Sequence, residues 1–266
     1  MSLLDRMRQL FGGRQDLPTR WQNILDDNVP LLARLEPETK HELYSCVHRF
    51  LREKKFEGVQ GQPINEEVKL TIAAQACLLH LGLEGPLYPK LRTILVYPGA
   101  YIADDVERTE EGIELPGKEA RAGESWGHGT LLLSWADVVH GAADPGDGSN
   151  LVFHEFAHKL DEETGESNGS PVLPSAEHQE RWQRAFSNAY ETLRRAIDHG
   201  STIGPFNPYA ASSPAEFFAV STELFFERPG ALRAFDRDLY QQLQSFYHPI
   251  RSGQAAEEGQ PVLQDA

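Results

Sequence analysis

Two histidines and a glutamate lie close together in an otherwise apolar stretch of the chain. His154 and His158 are four residues apart, and Glu155 directly follows the first histidine. On an α-helix this spacing places both imidazoles on one face, one turn apart, where they can bind one metal ion. The pattern is typical of zinc hydrolases, in which the glutamate takes a proton from a metal-bound water. We therefore predict zinc ligands at His154 and His158, and a general base at Glu155.

The residues around this motif decide between a metal site and an ordinary surface helix. A surface helix would carry its histidines and its glutamate on a solvated face. Here the neighbours are apolar on both sides of the motif, namely Leu151, Val152, Phe153, Phe156, Ala157 and Leu160. Buried polar groups without partners are costly. The apolar surroundings therefore favour the metal site.

A catalytic zinc site needs a third protein ligand and one open coordination position. A histidine-containing extension of the motif is excluded, because Asp161 and Thr164 stand where that extension requires glycine and histidine. Two alternatives remain: Glu177 or His178 at the start of the next predicted helix, and Glu216 two helices further on. Glu216 also fits the capping box of its own helix, a role that needs no metal. The residues alone leave these alternatives open.

The type of secondary structure predicted around these residues changes along the chain, from helices to strands and back to helices. From Pro18 to about Leu83 the apolar spacing is helical, and Asn65 is a plausible cap for the last helix of this part. Three segments then read as strands, "RTILVYP", "AYIAD" and "GTLLLSWADVV". Four helices follow: the motif helix capped by Ser149 or Asn150, one from about Ser175 to Asp198, one over "PAEFFAVSTELFFE", and one from about Gly230 to Tyr247.

Helices, then strands, then helices indicate an α+β fold. We expect a single domain over 18–250, with a helical N-terminal part over 18–85 and a core that carries the motif over 86–250. We expect residues 1–17 to be flexible. We also expect residues 251–266 to form a disordered tail, because they contain too little apolar surface to order themselves.

The composition argues against several classes of function. The 266 residues carry a formal net charge of −15, which disfavours direct binding to nucleic acid or to an anionic membrane surface. No apolar run is long enough to span a membrane, and the N-terminus lacks the features of a secretion signal. Cys46 and Cys77 fit buried free thiols in a reducing compartment. We therefore expect a cytoplasmic protein.

A series of motifs in one order resembles the Mlc titration factor A family, the glucose-regulated zinc peptidases of the bacterial cytoplasm. The resemblance runs from about Trp21 to Tyr247, and its motifs read "FLREKKFEG", "IAAQACLLHLGL", "TILVYP", "LLLSWADV", "NLVFHEFAHKLD", "PAEFFAV" and "FYHP". The resemblance implies a zincin-like catalytic core of the gluzincin type, with a small mixed sheet and a helical N-terminal region. It also implies one zinc ion bound by His154, His158 and Glu216.

The same resemblance implies roles for two further residues and an activity. Glu155 is the base, and Tyr209, seven residues before Glu216, donates to the oxyanion that develops on the substrate. A phenol beside a metal ion can stabilise such a charge. The family also implies aminopeptidase-like activity on small substrates, and regulation of sugar uptake through binding of the repressor Mlc.

Two more acids lie at helical spacing from the predicted ligands. Glu223 is seven residues beyond Glu216, on the same face of its helix, and Asp161 is one turn beyond His158. We interpret Glu223 as a partner that orients a ligand imidazole, and Asp161 in the same way. A solvated surface acid is the alternative for each.

A different class of function also fits the residues. The chain could be a binding protein that sequesters a transcriptional repressor, with a zinc site that is structural or vestigial. The intact motif weighs against this alternative, because a structural zinc needs no general base and usually has four protein ligands, often cysteines. A zinc hydrolase that acts on a non-peptide amide is a third alternative.

Overall fold

The computed structural model describes residues 17–99 and 129–247. Within these ranges the helices and strands, numbered in chain order, are α1 (Thr19–Asn28), α2 (Pro37–Glu53), β1 (Lys55–Gly58), α3 (Glu66–His80), β2 (Thr93–Tyr97), β3 (Thr130–Ser134), α4 (Trp135–Ala143), α5 (Leu151–Asp161), α6 (Ala176–Asp198), α7 (Pro214–Glu227), α8 (Pro229–Phe235) and α9 (Arg237–Tyr247). Short 3-10 turns cover Pro30–Arg34, Glu162–Thr164 and Pro208–Ala211. This order of helices, strands and helices confirms the α+β class. The predicted disordered tail and nearly all of the predicted flexible N-terminus lie outside the described residues.

The three described strands form a parallel sheet in the order β1-β2-β3. Lys55 pairs with Thr93, which in turn pairs with Thr130. The inward side chains are fully buried, as is typical of parallel sheets: Ile94, Val96, Leu131 and Leu133. We expected a mixed sheet, but every strand pair within 17–99 and 129–247 is parallel. The predicted strand "AYIAD" falls outside those ranges.

Three elements differ from the sequence-based prediction. β1 lies inside the segment that we predicted to be helical, because its backbone extends the sheet by pairing with β2. The strand predicted over 129–139 ends at Ser134, whose hydroxyl accepts the N–H of Asp137 at 3.3 Å and starts α4. The predicted last helix is divided into α8 and α9 at Asp236, whose carboxylate caps α9.

Helix α3 lies at the centre of the core and is buried on nearly all sides. Asn65 caps it as predicted, by accepting the N–H of Val68 at 2.9 Å. Helix α3 contacts α1, α2, α4 and α5, and α5 contacts α7 on another side. The ring of Phe156 on α5 lies 5.8 Å from that of Phe50 and 4.8 Å from that of Tyr88. Because α5 is enclosed in this way, its polar side chains need partners from neighbouring helices.

A buried lysine holds the loop that leads into β2. Lys54 is 8% exposed, and its ammonium group donates to the carbonyl oxygens of Leu87, Tyr88 and Leu91 at 2.7, 2.9 and 2.8 Å. Burial lowers the pKa of Lys54. The three carbonyls use all three N–H donors of the ammonium group. Lys54 therefore fixes the loop through charge-assisted hydrogen bonds.

The two cysteines were predicted to be buried free thiols, and no membrane span was predicted. Cys46 is half-buried and Cys77 is buried, and both are free thiols. Within the described ranges, no helix combines the length and the apolar character that a bilayer span requires.

Candidate metal centre

Helix α5 begins with a side-chain cap and carries the motif in its middle. Of the two predicted caps it is Asn150, whose side-chain oxygen accepts the N–H of Phe153 at 3.0 Å. Phe153 and Phe156 are fully buried on the core side of the helix. This orientation directs the imidazoles of His154 and His158 towards α7, where both meet carboxylates.

The two imidazoles converge on the carboxylate of Glu216. The Nε2 atoms of His154 and His158 are 3.2 Å apart. One oxygen of Glu216 lies 3.0 Å from the Nε2 of His154, and the other lies 3.4 Å from that of His158. The predicted cap is present as well, because Ser213 accepts the backbone N–H of Glu216 at 3.1 Å. Capping uses the backbone of Glu216, and the side chain faces the histidines.

The alternative third ligands lie in other surroundings. Glu177 forms an ion pair with Arg181 on its own helix, and the Nδ1 of His178 lies 2.8 Å from the hydroxyl of Ser175. In the described part of the chain, the two motif histidines and Glu216 form a group that could bind a metal ion, since their ligand atoms all lie within 4.8 Å of one another. The structure therefore brings Glu216, and neither residue of α6, to the motif.

The electrostatics of this group favour a positive charge at His154 beside an ionised Glu216. Burial alone would lower the pKa of His154, but the neighbouring carboxylates of Glu216 and Glu223 outweigh burial and hold this pKa well above its usual value. Burial would likewise raise the pKa of Glu216, but His154 and His158 outweigh it and hold this pKa well below its usual range. The carboxylates of Glu216 and Glu223 thus stabilise positive charge at His154.

Glu223 binds the other nitrogen of the His154 ring. One of its oxygens lies 2.8 Å from Nδ1, and the other accepts the backbone N–H of Asn150 at 2.6 Å. Glu223 is 6% exposed, which excludes the alternative of a solvated surface acid. When His154 is neutral and its Nδ1–H donates to Glu223, its lone pair is on Nε2, the atom that faces Glu216.

The atoms that converge here fit a bound metal ion. The Oε2 atom of Glu216 is buried and makes no hydrogen bond within the described residues, although it lies close to the Nε2 of His154. Lone pairs that face one another repel unless a positive charge lies between them. Two imidazole nitrogens and one carboxylate oxygen are a donor set that zinc favours in catalytic sites. The residues present therefore fit zinc.

Glu155 lies beside these ligands and is 1% exposed. Burial raises the pKa of Glu155 to about 7, against the opposing effect of the neighbouring His154 and His158. Its Oε2 atom is buried and has no hydrogen-bond partner in the described part of the chain. A carboxylate of this kind has an oxygen available to accept a proton near neutral pH.

Tyr209 lies on the solvent side of the same group. It belongs to the 3-10 turn Pro208–Ala211, which Asn207 caps by accepting the N–H of Ala210 at 3.2 Å. The side chain of Tyr209 is 40% exposed, and its ring centre lies 6.2 Å from that of His154. The turn therefore places the partly exposed ring of Tyr209 next to a candidate metal ligand.

A buried polar network that was not predicted from the sequence lies behind His154. The side-chain amide of Asn150 contacts the side-chain oxygen of Gln75 at 2.8 Å, the carbonyl of Gly141 at 3.2 Å and the carboxylate of Glu227 at 3.0 Å. Glu227 also accepts the N–H of Gly148 at 3.0 Å, and burial raises its pKa to about 8. The sequence did contain a signal for this network, because Gln75 and Glu227 are polar residues within the strongly apolar helices α3 and α7.

Comparisons with known proteins agree with the motif-based resemblance. Residues 4–248 match the family described as glucose-regulated metallo-peptidase M90. The chain is 39% identical over 244 residues to an uncharacterised protein of Synechocystis, covering 91% of this chain and 87% of the relative. It is 33% identical over 231 residues to Mlc titration factor A of Pectobacterium atrosepticum, covering 85% and 84%. It is 31% identical over 240 residues to Mlc titration factor A of Escherichia fergusonii, covering 89% and 87%.

Proposed function

We propose a function for this chain from the premise that it belongs to the glucose-regulated metallo-peptidase family M90. The chain is then a zinc-dependent peptidase that hydrolyses peptide bonds in the cytoplasm. The observation that carries this proposal is the convergence of two imidazole nitrogens and a carboxylate oxygen within 4.8 Å of one another. His154, His158 and Glu216 hold one zinc ion.

Each residue of the site has a separate role in the proposed reaction. When bound, zinc supplies a Lewis acid that polarises the substrate carbonyl and lowers the pKa of a water molecule. Glu155 accepts the proton of the attacking water, and its buried, unpartnered oxygen beside His154 supports this role. Tyr209 donates its O–H to the developing oxyanion, and its ring beside His154 supports this role. Glu223 orients the His154 ring.

The substrates proposed on the family resemblance are small peptides, with aminopeptidase-like activity. A partially exposed phenol at the site fits a cleft that is open to solvent and admits such substrates. We further propose a transcriptional repressor of the Mlc type as a protein partner, linked to the regulation of sugar uptake. The name of the relatives, Mlc titration factor A, supports this part of the proposal.

A second candidate function follows from the same name. The chain would then sequester a repressor, and its zinc site would be non-catalytic. A buried carboxylate directly beside a ligand histidine weighs against this candidate, because a structural site has no use for a general base.

The two candidates differ in what happens when Glu155 becomes glutamine. We expect Glu155→Gln to retain bound zinc and to lose about 100-fold or more of the hydrolysis of a chromogenic peptide. The measurements are the zinc content of purified protein and the rate of hydrolysis, each compared with the wild type. Equal hydrolysis by both proteins would favour the sequestering function.

The third ligand has its own test and a matched control. We expect Glu216→Gln to weaken zinc retention, because one charged ligand is lost. Glu177→Gln changes the acid that was the alternative ligand, and should leave zinc retention unchanged. An unchanged affinity in Glu216→Gln, or an equal loss in both variants, would contradict the proposed ligand set.

A further inference from the structure

Asp161 lies at the end of α5, three residues beyond His158, and is fully buried. Its two carboxylate oxygens accept the backbone N–H groups of Gly169 and Ser170 at 2.7 and 2.8 Å. Two successive backbone N–H groups aimed at one anion form a nest, a recurrent anion-binding arrangement. These contacts replace the contact with a ligand imidazole that we predicted for Asp161. The carboxylate instead binds the loop that joins α5 to α6.

The turn that Asp161 binds touches the helix that carries Glu216. Gly169 has a φ of +76°, and a Cβ atom there would lie 2.4 Å from the carbonyl oxygen of Pro214. Both the backbone angle and the close approach require glycine. Pro214 is the first residue of α7, two residues before Glu216. Trp182 on α6 donates its indole N–H to the carbonyl of Gly169 at 2.9 Å and holds the turn from another side.

Helices α5 and α7 are therefore linked at two places. At the start of α5, Glu223 on α7 binds both His154 and the backbone of Asn150. At the end of α5, Asp161 reaches the first turn of α7 through Gly169. The two helices also pack through apolar side chains, and the ring centres of Phe153 and Phe226 lie 5.0 Å apart. Two links fix the position of the first turn of α7 relative to both histidines.

We propose that Asp161 is a positioning residue for the third metal ligand: by binding the turn at Gly169 and Ser170, it sets the distance between the Glu216 carboxylate and the two histidines. This inference rests on the proposed metal site. Residues that hold ligands in place typically change metal affinity by about 10–100-fold when they are removed. Asp161 contributes through the backbone of a loop, without touching a ligand side chain.

The test compares two substitutions in the full-length chain. Asp161→Asn keeps the shape of the side chain but faces one of the two N–H groups with an amide. Asp236→Asn makes the same change in a carboxylate that also accepts a backbone N–H, in the cap of α9. The measurements are the zinc dissociation constant by competition with a chromogenic chelator, the visible absorption spectrum of the cobalt-substituted protein, and the unfolding temperature.

We expect Asp161→Asn to weaken zinc binding by about 10–100-fold and to change the cobalt spectrum at saturating metal. Asp236→Asn should lower the unfolding temperature and leave both metal readouts unchanged. Gly169→Ala tests the same contact from its other side and should resemble Asp161→Asn. If either Asp161→Asn or Gly169→Ala kept the zinc affinity and the cobalt spectrum of the wild type, the inference would be overturned. An equal loss of affinity in Asp236→Asn, or failure of both contact variants to fold, would also overturn it, because each would show a general effect on stability.

The same measurements distinguish failure of the positioning role from failure of the proposed function. If the wild type binds zinc and hydrolyses peptide while Asp161→Asn matches it, only the positioning role fails. If the wild type binds no zinc through His154 and His158, the proposed function fails first.

Discussion

Substituting Glu223 by glutamine should weaken zinc binding although the side chain is not a ligand. The carboxylate of Glu223 accepts from two groups at once, the Nδ1 of His154 at 2.8 Å and the backbone N–H of Asn150 at 2.6 Å. A glutamine has the same shape but only one oxygen. It can therefore satisfy one of these two donors and must present its amide N–H to the other.

Both orientations of that glutamine are unfavourable. If its oxygen faces His154, the N–H of Asn150 is left buried without an acceptor, which costs about 1–3 kcal/mol of stability. If its oxygen faces Asn150, the amide favours the tautomer of His154 that carries its proton on Nε2. That nitrogen faces Glu216 and would no longer offer a lone pair to the metal. We expect zinc affinity to fall by about 10–100-fold, or about 1.4–2.7 kcal/mol.

Glu227 provides a matched control on the next turn of α7. It is also buried and also accepts from two N–H groups, those of the Asn150 side chain and of Gly148, but no hydrogen bond joins it to a ligand histidine. Glu227→Gln should therefore leave zinc affinity unchanged. The assay is chelator competition at a fixed pH near 7, together with urea unfolding of each variant. Equal affinity losses in the two variants, or wild-type affinity in Glu223→Gln, would refute the reasoning.

Three further predictions use other parts of the structure. The pKa of Glu227 is raised to about 8 by burial and by the nearby Asp147 and Glu223, so the folded state holds this proton more tightly than the unfolded state. The contribution of Glu227 to stability should fall as the pH rises from about 5 to about 8, by at most about 1.4 kcal/mol per pH unit, and urea unfolding of Glu227→Gln should lack this fall. Lys54→Met should lower the free energy of unfolding by about 3 kcal/mol or more, since three carbonyls lose their donor, and loss of less than about 1 kcal/mol in urea would contradict this account. Tyr209→Phe should lower kcat by about 100-fold or more at unchanged zinc affinity, and an unchanged kcat would remove the proposed oxyanion role.

Features that depend on nearby residues could be predicted from the sequence. The motif helix, its cap at Asn150 and the cap of α3 at Asn65 all follow from side chains that bind the backbone three residues away. The apolar neighbours of the motif also indicated correctly that its polar groups are held inside the protein. These contacts are local, so spacing alone defines them.

Features that depend on distant residues could not be predicted in the same way. Strand β1 is short and charged, and it is a strand because Lys55 pairs with Thr93, nearly forty residues further on. The choice between Glu216 and Glu177 depended on which helix packs against the motif, and both acids lie in the first turn of an amphipathic or apolar helix. The contact of Asn150 with Gln75 and Glu227 joins three separate helical regions of the chain. Only the tertiary structure brings these groups together.

The candidate ligands come from two helices that are far apart in the chain. A growing polypeptide that has emerged from the ribosome only as far as residue 200 contains both histidines but lacks Glu216. Such an intermediate has two of the three candidate ligands, and on the proposed ligand set metal binding would become strong only when α7 docks on α5. Zinc would then stabilise the folded protein only after α7 has docked. The free zinc concentration in the cell would determine the size of this stabilisation.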